Sequence, residues 1–132
     1  MSRGNVEIVR RSFEAWNRQD PEGASEHLSP DVEIDASDRI LNPQVFSGIE
    51  GVMRFQREIA EIWEGFRVEI EDLLPVGDDV VVLVHSVAQG RAGGVPVDFQ
   101  SAWVVTVRDR KVTRFRLYRD RSQALEAVGL RE

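Results

Sequence analysis

The chain contains no cysteine, so disulfides and thiolate metal sites are excluded. Its two histidines, His27 and His85, stand too far apart to form a metal-ligand pattern. No metal and no cofactor is therefore expected. No apolar run approaches the ~18 residues of a membrane-spanning helix, and Met1-Ser2-Arg3-Gly4-Asn5 lacks the apolar core of a secretory signal. Cytoplasmic localisation without membrane contact is the expectation. Basic residues are outnumbered, 17 against 23 acidic ones, for a net charge of −6. Nucleic-acid binding needs the opposite balance and is not expected. Internal repeats and low-complexity segments are absent. Gly90-Arg91-Ala92-Gly93-Gly94 lacks the Lys-Ser/Thr pair and the strand-to-helix context of a phosphate loop.

With 42% apolar and 30% charged residues, the composition is that of a globular domain, and the length suits one domain spanning 1–132. Val6, Val9, Phe13 and Trp16 recur at helical spacing and predict a helix over 5–19. Asp20-Pro21 supplies a cap and a first-turn proline for a short helix over about 21–28. Val32 and Ile34 alternate with Glu33 and Asp35, as in a half-buried strand. Residues 36–47 read as irregular, with a turn at Asn42-Pro43. Ser47 and Glu50 have capping-box spacing at the head of a helix over 48–64, for which Gly65 is the expected terminator. That helix has a broad apolar face with Ile49, Val52, Phe55, Ile59, Ile62 and Trp63.

Four strand-length runs follow. Phe66, Val68 and Ile70 alternate with charged residues. The run from Val80 to Val87 is apolar on both parities, which predicts cover on both faces. Residues 95–107 tolerate Pro96 near their start. The polar turn Arg108-Asp109-Arg110-Lys111 leads into a strand over 112–119, and Ser122 to Val128 forms a closing helix. Helices first and a meander of strands after is an α+β pattern.

Phe13-Glu14-Ala15-Trp16-Asn17-Arg18-Gln19-Asp20, Asp31-Val32-Glu33-Ile34, Gly48-Ile49-Glu50-Gly51-Val52, and Arg110 through Asp120 with Ala124-Leu125 behind it together span nearly the whole chain. Through these stretches the chain resembles the nuclear transport factor 2-like superfamily, and within it the SnoaL-like branch (polyketide-cyclase-like, ketosteroid-isomerase-like). The resemblance implies a cone, a cystatin-like α+β barrel. In it a curved antiparallel sheet wraps the long helix, an apolar cavity opens near the first helix, and the outer sheet face makes a homodimer. This fold hosts isomerases, cyclases, epoxide hydrolases, dehydratases and binding modules, so it does not choose among them. Matched against ketosteroid isomerase, the Tyr position falls on Ser12, the base position on Ala36 with Asp35 one residue earlier, and the second Asp on Ala102. The last-strand Asp of limonene epoxide hydrolase falls on Leu117. Losing an oxyanion donor typically costs ~10²–10³ in rate, so neither chemistry is expected.

Asp35 is the acid–base candidate, at the end of an apolar strand where desolvation raises a carboxyl pKa. Strand parity turns it outward unless a bulge intervenes. Ser12, Trp16, Phe55, Ile59, Val84, Ser86, Ala102, Phe115 and Leu117 are the expected cavity lining. Arg114, Arg116 and Tyr118 take the outer face and suit a dimer interface. Trp103 is expected there too, by parity with Val105 and Val107, and His85 faces outward. The functional expectation is a small pocket protein for an apolar or polycyclic metabolite, with metal-free acid–base chemistry of the cyclase or isomerase kind. The alternative is a non-catalytic ligand-binding or dimeric interaction module.

Overall fold

A computed structural model describes residues 2–39, 42–91 and 93–130. Helix α1 (Ser2–Asn17) buries the face carrying Ile8, Val9 and Phe13. Helix α2 (Pro21–Ser25) starts on Asp20, whose carboxylate accepts from the Gly23 N–H at 3.0 Å. It is shorter than its pattern suggests, because Leu28 already begins strand β1 (Leu28–Asp35). A three-residue strand, β2 (Val45–Ser47), lies in the stretch expected to be irregular, and its Phe46 is fully buried. Helix α3 (Gly48–Ile62) follows. Ser47 is its N-cap by backbone but makes no side-chain cap bond, so the capping box does not form. The helix ends at Ile62, ahead of Gly65, because Trp63 already enters β3 (Trp63–Val76). Gly65 instead takes φ +65°, where the register of β3 shifts between Glu64 and Arg67. Strands β4 (Asp79–Gly90), β5 (Pro96–Arg108) and β6 (Lys111–Tyr118) complete the meander, and α4 (Arg121–Ala127) closes it on an Asp120 cap.

The six strands form one curled sheet in the order β2-β1-β6-β5-β4-β3. All pairs are antiparallel except β1 with β6, which run parallel. A parallel pair needs a long crossover, and here everything from β2 to β5 supplies it. Helices α1 and α3 lie across the concave side. Their Val9, Phe13, Val52 and Phe55 pack on Val32, Ile34, Val82, Val84 and Val105. A second core lies on the convex side, where Ala124 and Leu125 of α4 cover Val81, Ala102, Val104 and Tyr118. Strand β4 is therefore apolar on both faces because both are covered. Arg121 ties α4 down, donating from Nε to the Ser101 carbonyl at 3.2 Å and from Nη2 to the Val84 carbonyl at 2.7 Å.

The β5–β6 hairpin turns through Asp109 and Arg110, both at positive φ (51° and 64°), as a two-residue turn with the right twist requires. The ladder starts from the Arg108↔Lys111 pair and slips by one residue between Thr106 and Val107. Val112, rather than Thr113, then takes the buried side with Phe115. Among the described residues no helix is long and apolar enough to cross a membrane.

Gly51 provides a test of the α3–β2 contact. Alanine in place of a helical glycine ordinarily stabilises by up to ~1 kcal/mol. A Cβ on Gly51 would lie 2.9 Å from the Phe46 carbonyl carbon and 3.3 Å from its Cβ. Gly51→Ala should therefore destabilise by roughly 1–3 kcal/mol in urea unfolding. A stabilised variant would refute this packing.

Candidate functional site

The concave side is not filled. A hollow of about 580 Å³ remains between the sheet and the two helices. Helix α1 contributes Ser12, Phe13 and Trp16, one turn apart on its inner face. Helix α3 contributes Val52, Phe55, Gln56, Ile59 and Ile62 at helical spacing. The sheet provides Ile34, Val68, Ser86, Ser101, Trp103, Phe115 and Leu117.

Six rings form a chain around this space. Phe66 meets Trp16 at 6.5 Å, Trp16 meets Phe55 at 5.7 Å, and Phe55 meets Trp103 at 6.3 Å. Trp103 meets Phe115 at 6.4 Å, and Phe115 meets Phe13 at 6.2 Å. These are tilted or edge contacts of the kind aromatic quadrupoles favour. All three tryptophans of the chain border the hollow.

Charge is confined to Arg39, Glu58 and Arg119. Arg39 is paired with Glu58, with side chains only 13% and 19% exposed. The other Glu58 oxygen accepts from Asn42 Nδ2 at 3.2 Å. The Arg39 guanidinium also lies over the Phe46 and Phe55 rings at 5.3 and 5.4 Å. Among the described residues no group of three or more His, Asp or Glu could hold a metal ion.

Of the residues expected from sequence, the structure gathers Ser12, Trp16, Phe55, Ile59, Ser86, Phe115 and Leu117 around one space. It corrects three others. Val84 shares their face but is sealed in the main core beside Val80 and Val82, so it does not reach the hollow. Ala102 lies on the convex face under α4. An unbroken hairpin ladder would bring residue 102 opposite Leu117; the slip at Thr106/Val107 brings Trp103 there and inverts the face of everything before it. Trp103 therefore faces inward, against expectation, and Ser101 with it.

Asp35 is the third. No bulge turns it, and it lies on the outer face beside Arg114 and Arg116 of β6. Its carboxylate accepts from the Ser37 hydroxyl and N–H and from Arg114 Nη2 at 3.3 Å, with Arg116 Nε at 3.7 Å. Tyr118 is likewise unavailable to a partner, since Ala124 and Leu125 bury it within its own chain. His85 faces outward, bonded to Asp98 and 3.5 Å from Glu69. The bond to Asp98 is the main cause of a raised His85 pKa.

Asp38 and Arg39, in the loop after Asp35, are by sequence within reach of the cavity mouth as a solvated ion pair. Arg39 does border the hollow, but its partner is Glu58 and the pair is largely covered. Sequence reasoning missed Glu58 and Arg119. Arg39 and Glu58 are joined across 19 positions of sequence, which no periodicity signals.

The SnoaL-like domain family matches residues 9–115. The chain belongs to that family. The uncharacterized protein Rv0034 of Mycobacterium tuberculosis is 32% identical over 111 residues, covering 83% of this chain and 84% of that protein. An NTF2-like protein of unknown function from Burkholderia pseudomallei has the same fold, with a TM-score of 0.79, 21% identity, and 96% and 98% of the two chains covered. A Catenulispora acidiphila protein with a ketosteroid isomerase-like fold, in complex with trimethylamine, superposes at 0.77, with 19% identity and coverage of 94% and 93%. TerC, co-crystallized with polyporic acid, superposes at 0.78, with 23% identity and coverage of 95% and 97%. In this SnoaL-like chain, then, the fold is shared while the acid–base candidate lies outside the hollow.

Asp35 gives a pH-dependent signature. Burial raises its pKa, but the two Ser37 bonds, the Arg114 bond and the Arg116 charge together hold it below the ordinary carboxylate range. A depressed folded pKa gives stability that is present above the unfolded value of ~3.9 and lost as pH falls through the folded value. Asp35→Asn should cost roughly 1–3 kcal/mol at neutral pH and flatten the acid limb of a stability–pH curve. An unaltered acid limb would refute the assignment.

Proposed function

We propose that this SnoaL-like domain binds an apolar, ring-containing small molecule in the hollow of its sheet. The observation that carries the reading is the lining: a chain of six aromatic rings around about 580 Å³ of space. That volume falls within the ~300–1,000 Å³ usual for ligand pockets. Two fold relatives were crystallised with small organic molecules, which supports a small-molecule role. Cyclase- or isomerase-type chemistry would need a group free to move a proton beside the ligand. Asp35 lies on the opposite face, and both Glu58 oxygens are engaged by Arg39 and Asn42. Binding is therefore the reading the geometry favours over catalysis.

Titration with N-phenyl-1-naphthylamine tests it. The dye should show saturable fluorescence enhancement, and Ile59→Trp, which adds bulk to the wall, should weaken binding by about tenfold or more. No enhancement with the wild-type chain, or an unchanged affinity in the variant, would sink the reading.

The proposal extends to a homodimer through the part of the outer face that α4 leaves open, around Glu33, Arg114 and Arg116. Its support is that the Arg114 and Arg116 side chains stay 42% and 45% exposed there, and arginine is enriched at interfaces. Sedimentation velocity at micromolar concentration should then give twice the 15.0 kDa of one chain, and a monomer mass would remove the dimer.

A further inference from the structure

The hollow is apolar, yet three of its polar groups stand in line. Tyr118 of β6 pairs with Ala102 of β5, so the next residue, Arg119, comes level with Ser101. Ser101 pairs with Val84 of β4, and Ser86, two residues on, is its diagonal neighbour. Arg119, Ser101 and Ser86 all border the hollow. They sit on three adjacent strands, so at ~4.8 Å per strand the row spans roughly 10 Å.

The two serines are covered like core residues, at 3% and 2% exposure. Among the described residues neither hydroxyl makes a hydrogen bond, and Ser101 is engaged only through its carbonyl, by Arg121. Arg114 Nε is the buried side-chain polar atom left without a partner among the described residues, so these two hydroxyls are not sealed in protein. They border the hollow and are open to bond a molecule that enters it.

The charged groups decide the sign of that molecule. Glu58, the one carboxylate in the lining, is consumed by Arg39 and Asn42. It is not free to take a cation. Arg119 is held only loosely: its guanidinium lies 3.8 Å from Asp38, and its side chain is 57% exposed. An exposed pair at that distance is worth little. A bidentate carboxylate would satisfy the guanidinium better.

We infer that the ligand is an aromatic or polycyclic acid with a second oxygen function about one naphthalene length away. Its anionic group sits on Arg119, its ring system lies over Trp103, Phe115 and Phe55, and its far oxygen bonds the Ser101 and Ser86 hydroxyls. This rests on the binding reading above.

Isothermal titration with three matched probes tests it: neutral 2-naphthol, 2-naphthoate, and 6-hydroxy-2-naphthoate. The wild-type chain should bind 2-naphthoate about tenfold or more tighter than 2-naphthol, and 6-hydroxy-2-naphthoate about threefold tighter again. Arg119→Gln should abolish the preference for the acids and leave 2-naphthol within about twofold, while Arg119→Lys retains part of it. Ser86→Ala with Ser101→Ala should remove the gain from the 6-hydroxyl alone. Acids bound no better than 2-naphthol, or an acid preference that survives Arg119→Gln, would overturn the inference while 2-naphthol binding upholds the pocket. Binding of none of the three, with no dye enhancement, would remove the pocket reading and this inference together.

Discussion

The β5–β6 ladder carries one residue too many on its β6 side, and the character of the hollow follows from that. Because side chains alternate faces along a strand, a slip of one residue exchanges the whole inner set for the outer set. The irregularity between Thr106 and Val107 places Trp103 opposite Leu117, and with it Ser101 on the concave floor. Without the slip, Ala102 and Val104 would face inward, and Trp103 would meet α4. The ring chain that joins α1 to α3 through Phe55, Trp103 and Phe115 would then lose its central member. The strained turn at Asp109 and Arg110, which starts the ladder, is therefore tied to the lining some 15–20 Å away, at ~3.4 Å per residue.

The elements that could be read from sequence are those with a sustained period. Val6, Val9, Phe13 and Trp16 place α1, and the 48–64 pattern places α3 within a few residues. The two-sided apolarity of β4 correctly anticipates cover on both faces, although α4 as the second cover was not legible. Strand β2 escaped because three residues are too few to show alternation. The site splits in the same way. Trp16, Phe55 and Ile59 follow from helix faces, Ser12 from the family resemblance, and Ser86, Phe115 and Leu117 from strand parity joined to that resemblance. Trp103 and Ala102 were misplaced because a bulge leaves no mark on parity. Arg39 was legible as a loop residue near the mouth, but its partner Glu58 was missed because a loop–helix ion pair forms between side chains that no repeat connects.

The sheet separates two kinds of electrostatics. Its outer face holds a linked set of Asp35, Arg114, Arg116 and Ser37, joined through short-range bonds that fix β1 to β6. That parallel pair lacks a local turn to hold it, so side-chain links across it substitute for connectivity. The inner face is nearly free of charge, and what charge it has lies at the level of Arg39 and Arg119. A carboxylate on the outer face serves cohesion there, while Glu58, the carboxylate that borders the hollow, has both oxygens engaged by Arg39 and Asn42.

The Arg121 tether has a consequence for the order in which the molecule can be finished. Its guanidinium reaches the carbonyls of Val84 and Ser101 at the centre of the sheet, and Ala124 and Leu125 cover an apolar patch on strands made earlier. Strands β4 and β5 pair with each other without any contribution from α4, so the sheet can form first and the helix dock last. Until α4 docks, the convex patch is apolar surface in contact with water, the feature that makes a partly folded chain prone to aggregate.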